Sequence, residues 1–325
     1  EYDPDYENSL HFSPKFQNYA HDLGKYLLNT YHLQGKHIIE IACGKGEFLS
    51  LICRLGGCTG TGFDPSYDQR QDKDLPEGVR ILKEYFKPSS HGQQGDLICC
   101  RHALEHIYDP VAFLRTVRQA IPPGRKPGVF FEVPNVLYTL RDGGIWDIIY
   151  EHYSYFSTSS LKQAFLEAGF DVRSVYATYG DQFLCIEAIP SNILHFSYLE
   201  NDVQYNSTHQ YAESFKIQYQ KKFSYWHHQL RSLNEGNKKV VIWGGGSKGI
   251  TFLNTFQGIS NIEFVVDLNP HKQGRYVPVT GQRVVFPESL TEIHPDTVLI
   301  MNPQYLDEIQ NKFNTLNISS DVNLV

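Results

Sequence analysis

Two stretches of this 325-residue chain follow one plan: an apolar run, a glycine-rich turn, a helical segment, a second apolar run, then an aspartate. The first passes from His37-Ile38-Ile39-Glu40-Ile41 through Cys43-Gly44-Lys45-Gly46 to Asp64. The second passes from Lys239–Trp243 through Gly244-Gly245-Gly246-Ser247-Lys248-Gly249 to Asp267. A strand that enters a tight glycine turn and leaves as a helix aims backbone N–H groups and the positive end of the helix dipole at one point, where a ligand can sit. Strands alternating with helices in this way build βαβ units and a mostly parallel sheet. Two such starts, in a chain too long for one hydrophobic core, imply two α/β domains.

After the first unit the strand-like runs continue with Val79–Lys83, Asp96–Arg101 and Gly128–Val133, the last closed by Pro134-Asn135. A helix near Ser159–Ala168 ends at Gly169, a residue suited to the left-handed position that follows a helix. Asp171–Tyr176 and Phe183–Ala188, joined by a short glycine-containing link, read as a hairpin. The polar, aromatic-rich stretch from Asn206 to Leu233 contains no Pro or Gly and reads as one long connecting helix. The expected organisation is a first domain over residues 1–190, a helical linker over 191–236 and a second, smaller domain over 237–325.

Charge narrows the partners. With 29 basic against 36 acidic residues, a net charge of −7 and no Lys/Arg block, the long-range field disfavours a polyanion such as nucleic acid. No apolar run approaches the roughly 20 residues that cross a bilayer. Neither nucleic acid nor membrane is expected, and a small-molecule substrate is. The cysteines Cys43, Cys53, Cys58, Cys99, Cys100 and Cys185 form no Cys-x-x-Cys pair, which argues against a zinc site or redox pair. Buried thiols in a cytoplasmic, reducing compartment are the expectation, since nothing resembles a secretory signal. The only methionine is Met301, so an initiator is expected upstream of residue 1.

The acid inside the first strand separates two kinds of ligand. Asp64, ending the second strand, is placed to hydrogen-bond ribose hydroxyls. Glu40 would repel a pyrophosphate but suits an ammonium and a sulfonium, so the reading is S-adenosylmethionine rather than a dinucleotide. At these residues the chain resembles the class I methyltransferases, whose first motif is an acid followed by three glycines at alternate positions; Ala42 stands at the first of the three. The resemblance implies a Rossmann-like sheet of five strands in βα order closed by a hairpin, with S-adenosylmethionine as cofactor. It also implies Asp64 on the ribose, and Glu40 acting through the loop and a water on the methionine end. Cys43, Gly44 and Gly46 complete the loop, and Arg101 and His102, at the end of the fourth strand, line the same cleft.

Further on, Leu104-Glu105-His106-Ile107-Tyr108-Asp109-Pro110 resembles the segment that lines the cofactor and substrate cleft in that class without a metal. In a helix His102 and His106 would share a face, one way to hold zinc, but no third ligand is evident and no metal is expected. Hydrogen-bonded structural histidines are the other reading. Between the fifth strand and the next helix lies Trp146-Asp147-Ile148-Ile149-Tyr150-Glu151-His152-Tyr153-Ser154-Tyr155-Phe156-Ser157. This is the carboxyl end of the sheet, where open α/β folds bind ligands. A histidine titrates near neutrality, and an adjoining carboxylate and phenol can orient it as a general base. Carbon attacks a methyl sulfonium only after a proton beside a carbonyl is removed, so C-methylation needs such a base. His152 is the expected base, with Glu151 and Tyr150 positioning it or the enolate. A substrate-binding role, or aromatic packing by Tyr150, Tyr153, Tyr155 and Phe156, would leave the same pattern.

That run resembles the sugar C-methyltransferase family of deoxysugar biosynthesis. So do the leading segment Tyr6-Glu7-Asn8-Ser9-Leu10-His11-Phe12-Ser13-Pro14, the second glycine loop and Asp267-Leu268-Asn269-Pro270-His271-Lys272-Gln273-Gly274, and the likeness covers nearly the whole chain. It implies methylation of a carbon next to the keto group of a nucleotide-linked sugar, with a Tyr-x-Glu-His run supplying the base. Here Tyr150-Glu151-His152 is one residue tighter, so the histidine carries over more directly than the tyrosine. Substrate contacts are expected from Tyr6, His106 and Asn135 and, in the second domain, from Gly245, Gly246, Ser247 and Lys248. The cysteine-rich zinc module that usually opens this family is not in the sequence. Alone, the second loop reads as a dinucleotide motif, Gly-x-Gly-x-x-Gly with a following acid, and Lys248 would suit a diphosphate. Three readings stay open there: holding a nucleotide diphosphate sugar, a structural relic, or NAD binding. For the chain as a whole the alternatives are O- or N-methylation of another small metabolite, or NAD-dependent oxidoreduction.

Overall fold

The computed structural model describes residues 11–88, 94–191, 203–259 and 262–325. The chain divides into two compact units. One comprises Asn18–Tyr138 and Tyr150–Ala212; the other comprises residues 11–17, Thr139–Ile149 and Glu213–Val325.

The strands of the first unit are β1 (His37–Ile41), β2 (Thr59–Phe63), β3 (Val79–Leu82), β4 (Leu97–Arg101), β5 (Gly128–Pro134), β6 (Phe170–Thr178) and β7 (Phe183–Pro190). They form one sheet in the order β3-β2-β1-β4-β5-β7-β6. β1 to β5 are parallel, and β7 runs antiparallel to both its neighbours. Because β1 lies between β2 and β4, the chain leaves β1 in one direction and returns to its other side later. The carboxyl ends of β1 and β4 therefore flank a crevice, the place where such sheets bind ligands.

Central strands covered on both faces are largely apolar, and a charged residue within them marks a site or a buried pair. β4 is buried at every position, and β1 from its second residue on. The helices are α1 (Pro14–Thr30), α2 (Glu47–Gly56), α3 (Pro110–Ala120), α4 (Val136–Arg141) and α5 (Thr158–Glu167), followed by α6 (Val203–Glu235). Asp109 caps α3 by accepting the Ala112 N–H at 2.9 Å, with Pro110 in the first turn where its missing N–H costs nothing. Ser157 and Ser160 cap α5 reciprocally, and Gly169, at φ +88°, follows its last turn. Leu114, Val117, Leu161 and Phe165 from α3 and α5 join Ile39, Ile41, Ile98 and Phe131 of the sheet in one core.

The second unit holds β8 (Val240–Trp243), β9 (Phe264–Val266), β10 (Arg283–Val285), β11 (Thr297–Ile300) and β12 (Asp321–Leu324), with α7 (Ser247–Thr255), α8 (Leu290–Ile293) and α9 (Leu306–Leu316). The order is β10-β9-β8-β11-β12, all parallel. Trp146 packs its ring at 5.0 Å from Phe252 and 5.6 Å from Phe256 of this unit. The run 146–157 is thus divided: Trp146–Ile149 belongs to the second unit and Tyr150 onward to the first.

α1, like α3, α8 and α9, is not among the sequence expectations, although Phe16, Ala20, Leu23 and Leu27 recur at helical spacing and are all buried. α6 is longer than the 206–233 expectation. Among the described residues no helix is long and apolar enough to cross a membrane.

Candidate active site

The first glycine turn begins at Ala42, whose φ of +54° is left-handed, and contains Gly44 at +55° and Gly46 at +72°. Gly46 precedes α2, and a Cβ there would collide with the Ile81 side chain, so the helix start sits directly on β3. Asp64, just past β2, accepts the Gly44 N–H at 2.8 Å on one carboxylate oxygen. Its other oxygen accepts the Ser66 N–H at 2.8 Å and the Ser66 hydroxyl at 2.6 Å. Glu40 in β1 is buried, and its Oε2 has no hydrogen-bond partner. Burial pushes its carboxyl up to about 8 against the opposing pull of Arg101 and the Leu49 backbone. Cys43 bonds weakly to the Gly44 carbonyl at 3.8 Å, and burial raises its thiol, which makes it packing rather than a nucleophile.

Behind the turn lies a charged network that the sequence reading did not find. Arg101, at the end of β4, donates to Glu132 Oε1 of β5 from Nε at 3.1 Å and from Nη2 at 2.8 Å. Its guanidinium also lies 4.3 Å from the centroid of the Phe48 ring. Tyr19 of α1 donates its hydroxyl to the other Glu132 oxygen. His102 Nε2 is 2.8 Å from Glu132 Oε1, and its backbone adopts a left-handed φ of +51°. Burial alone would raise the Glu132 carboxyl, but Arg101 and His102 hold it well below the usual carboxylate range. The signal was available: an acid within the apolar run Gly128–Pro134 is fully buried only if paired.

The segment after β4 is not α-helical. Leu104–His106 is a single 3₁₀ turn, so His102 and His106 do not share a helix face. The Glu105 carbonyl accepts the N–H groups of Tyr153 at 2.9 Å and Ser154 at 3.1 Å, which fastens the 150–155 loop to this turn. His106 Nδ1 is 3.0 Å from the Glu151 carbonyl, and its ring lies 4.8 Å from that of His152. The structure gathers a different set, without His102: Glu105, His106 and His152 bring one ligand atom each within 4.8 Å of one another.

Burial, then His106 and His102, push His152 down to about 4, so it is neutral at physiological pH. Of the three expected catalytic side chains, only His152 joins this cluster. Tyr150 is 100% exposed and Glu151 is exposed as well, so neither phenol nor carboxylate orients the imidazole. Asn135 is buried and spends its side chain on the neighbouring turn, donating to the Asp181 carbonyl at 2.8 Å and accepting the Leu137 N–H at 3.1 Å. Tyr6 lies outside the described residues.

The second unit repeats the device of the first. Asp267 accepts the Gly245 N–H at 3.0 Å and, on its other oxygen, the Asn269 N–H at 2.8 Å. A Cβ on Gly249 would strike the Gly244 carbonyl oxygen, so α7 closes tightly on β8. Gly246 precedes α7 and Ser247 opens it. The charges differ, however. Lys272 Nζ lies 3.3 Å from Asp267 Oδ2 and donates to the Gly245 carbonyl at 3.2 Å, while Lys248 Nζ lies 2.8 Å from Asp147 Oδ1. The acid that would take a ribose and the lysine that would take a diphosphate are each ion-paired.

A sheet in the order of the first unit, with a glycine turn after β1 and an acid after β2, is that of a class I methyltransferase. Comparison with known proteins agrees. The family model described as "Methyltransferase domain" matches residues 15–175, and that described as "C-methyltransferase C-terminal domain" matches residues 187–320. The chain belongs to the S-adenosylmethionine-dependent methyltransferases, with a methyltransferase domain followed by a C-methyltransferase C-terminal domain. The ubiquinone biosynthesis O-methyltransferase of Salmonella enteritidis is 30% identical over 123 residues, 35% of this chain; the chain spans only 47% of that relative's length. Among solved structures, the magnesium protoporphyrin IX methyltransferase of Synechocystis with bound SAH is 15% identical (TM-score 0.42), covering 55% of this chain and 84% of that one. The plantazolicin methyltransferase BpumL in complex with SAH is also 15% identical (TM-score 0.43), covering 55% and 85%.

Proposed function

We propose that this chain transfers a methyl group from S-adenosylmethionine to a carbon beside a carbonyl, in a nucleotide-linked keto sugar or a related small molecule. The C-methyltransferase C-terminal domain over residues 187–320 is the observation that carries the carbon acceptor. The residues around the first turn fit the cofactor. Glu40 offers a buried carboxyl with an unpartnered oxygen to a cation, and Asp64 keeps lone pairs for ribose hydroxyls beyond those given to Gly44 and Ser66. Bound there, S-adenosylmethionine would supply an electrophilic methyl. His152 is the base in this reading, since it is neutral at physiological pH and lies beside the cleft-lining turn 104–106. Arg101 and Glu132 hold the ends of β4 and β5 rigid beside it.

The test is incubation with carbon-13 methyl-labelled S-adenosylmethionine and a panel of nucleotide-linked keto sugars. The expected result is a labelled methyl on carbon, with His152→Ala cutting turnover about a hundred- to ten-thousand-fold and leaving cofactor affinity intact. A labelled methyl on oxygen would instead favour the O-methylation named for the Salmonella relative. Normal turnover in His152→Ala would place the base elsewhere.

A further inference from the structure

Two atoms of the 105–152 cluster carry an unmet demand. Glu105 is 2% exposed, and its Oε2 and the Nδ1 of His152 are both buried without a hydrogen-bond partner. Leaving such atoms unpaired in the interior is costly, so they belong with a partner at some point in the working cycle. They belong to two of the three residues, Glu105, His106 and His152, that bring one ligand atom each within 4.8 Å of one another. A single water making two hydrogen bonds of ~2.8 Å spans roughly 4.5 Å, so this spacing is closed by one water or by a small side-chain turn. His106 has its Nδ1 engaged with the Glu151 carbonyl, and a neutral imidazole, unlike a carboxylate, cannot offset the charge of an imidazolium.

We infer that Glu105 is the positioning partner of His152, accepting the Nδ1–H directly or through one water and so leaving Nε2 bare toward the acceptor. This rests on the reading of His152 as base. In the step, the acceptor C–H bond breaks, its electron pair enters the enolate and the proton goes to Nε2. The Nδ1–H stays in place, and the Glu105 carboxylate offsets the new imidazolium charge, as the orienting acid does in other acid–histidine pairs. The arrangement also removes a difficulty: a buried imidazole without a carboxylate is a weak base. The groups around the pair are His106, the Tyr155 ring at 5.7 Å from His152, His102, whose Nδ1 is 4.0 Å from Glu105 Oε1, and from β5 the Glu132 carboxylate, which opposes ionisation of Glu105. Burial pushes the Glu105 carboxyl up to about 7 against the pull of His102, so the carboxylate is the major form only above neutrality.

Nitrogen-15 NMR of histidine-labelled full chain, with His152 assigned through His152→Gln, tests this without acceptor or cofactor. At pH 8 the wild type should show the Nδ1–H tautomer. Between pH 6 and pH 8 the His152 Nδ1 resonance should move as the Glu105 carboxyl ionises, a step that Glu105→Gln should abolish and Glu105→Asp should retain. An Nε2–H tautomer in the wild type, or the same step persisting in a folded Glu105→Gln, overturns the pairing. So does stoichiometric zinc uptake that His152→Gln abolishes, which would make the cluster a metal site. Should Glu105→Gln fail to fold, the wild-type tautomer and Glu105→Asp still decide. Failure of S-adenosylhomocysteine to bind would remove the proposed function and leave this coupling standing, whereas binding without coupling removes this inference alone.

Discussion

Asp64 accepts the Gly44 N–H at 2.8 Å, which locks the glycine turn after β1 to the acid that follows β2. The same carboxylate orders Ser66, so its position is set by the protein before any ligand arrives. Asp64→Ala should weaken S-adenosylmethionine and S-adenosylhomocysteine by roughly 1–3 kcal/mol, the value of buried ribose hydrogen bonds together with a loosened turn. Calorimetry checks it, and unchanged affinity would take Asp64 out of the site.

Ala42 sits at a left-handed φ of +54°, where a Cβ is disfavoured by about 1–2 kcal/mol. Glycine removes that strain but enlarges the unfolded ensemble by about 0.4–1 kcal/mol. Ala42→Gly should therefore stabilise the chain by about 0–1.6 kcal/mol in urea unfolding with cofactor affinity unchanged. A destabilised variant would show that the methyl group packs usefully.

Arg101 and Glu132 are both buried and bonded by two N–H groups, so removing Arg101 takes the main counter-charge from the buried Glu132 carboxylate and leaves it Tyr19 and His102. Arg101→Met should cost about 3–5 kcal/mol in urea unfolding, whereas Arg101→Met with Glu132→Leu should cost distinctly less. The Glu132 carboxyl is depressed from 4.5, so its contribution is present above that value and is lost only as pH falls through its lower folded value. If the double variant is no better than the single, the pair is not the reason.

What the sequence disclosed was local. The glycine turn, Glu40 and Asp64 lie within one strand–helix–strand unit, and periodicity marks each strand of the first sheet through β7. Glu132 escaped because its partners, Arg101 and Tyr19, come from other elements, and only the assembled sheet brings them together. Tyr150 was misleading for a related reason. It stands two residues from the candidate base His152, but the chain changes units at Ile149/Tyr150 and this phenol is fully exposed. The acid near His152 was read as Glu151, its neighbour in sequence, whereas the one buried in its cluster is Glu105.

The second loop should not serve a redox cofactor. Lys272 neutralises Asp267, and Lys248 is held by Asp147, so a dinucleotide would have to break two ion pairs to reach its usual contacts. NAD and NADP should leave the melting temperature unchanged under conditions where S-adenosylhomocysteine raises it, since a ligand specific for the native state must stabilise it. Micromolar NAD binding that Gly246→Val abolishes would overturn this.

Glu40 makes cofactor binding a proton-linked event. Its carboxyl is raised to about 8, so at pH 7 the ligand-free chain holds it mainly as the neutral acid. A sulfonium and an ammonium favour the carboxylate, and binding should expel the proton. At pH 7 the heat of S-adenosylmethionine binding should then differ between buffers of different ionisation enthalpy, and affinity should rise with pH by at most about tenfold per unit until the carboxyl has titrated. Stability without ligand has the opposite slope. The folded value lies above the unfolded 4.5, so the contribution of the buried acid is complete below 4.5 and is lost as pH rises through about 8. Glu40→Gln, which has no charge to bury, should lose both effects: its urea midpoint should not drop between pH 6 and pH 9 as the wild type does, and its weakened cofactor affinity should be flat over that range. Equal heats in both buffers, together with a flat wild-type affinity, would mean that the cation never meets Glu40.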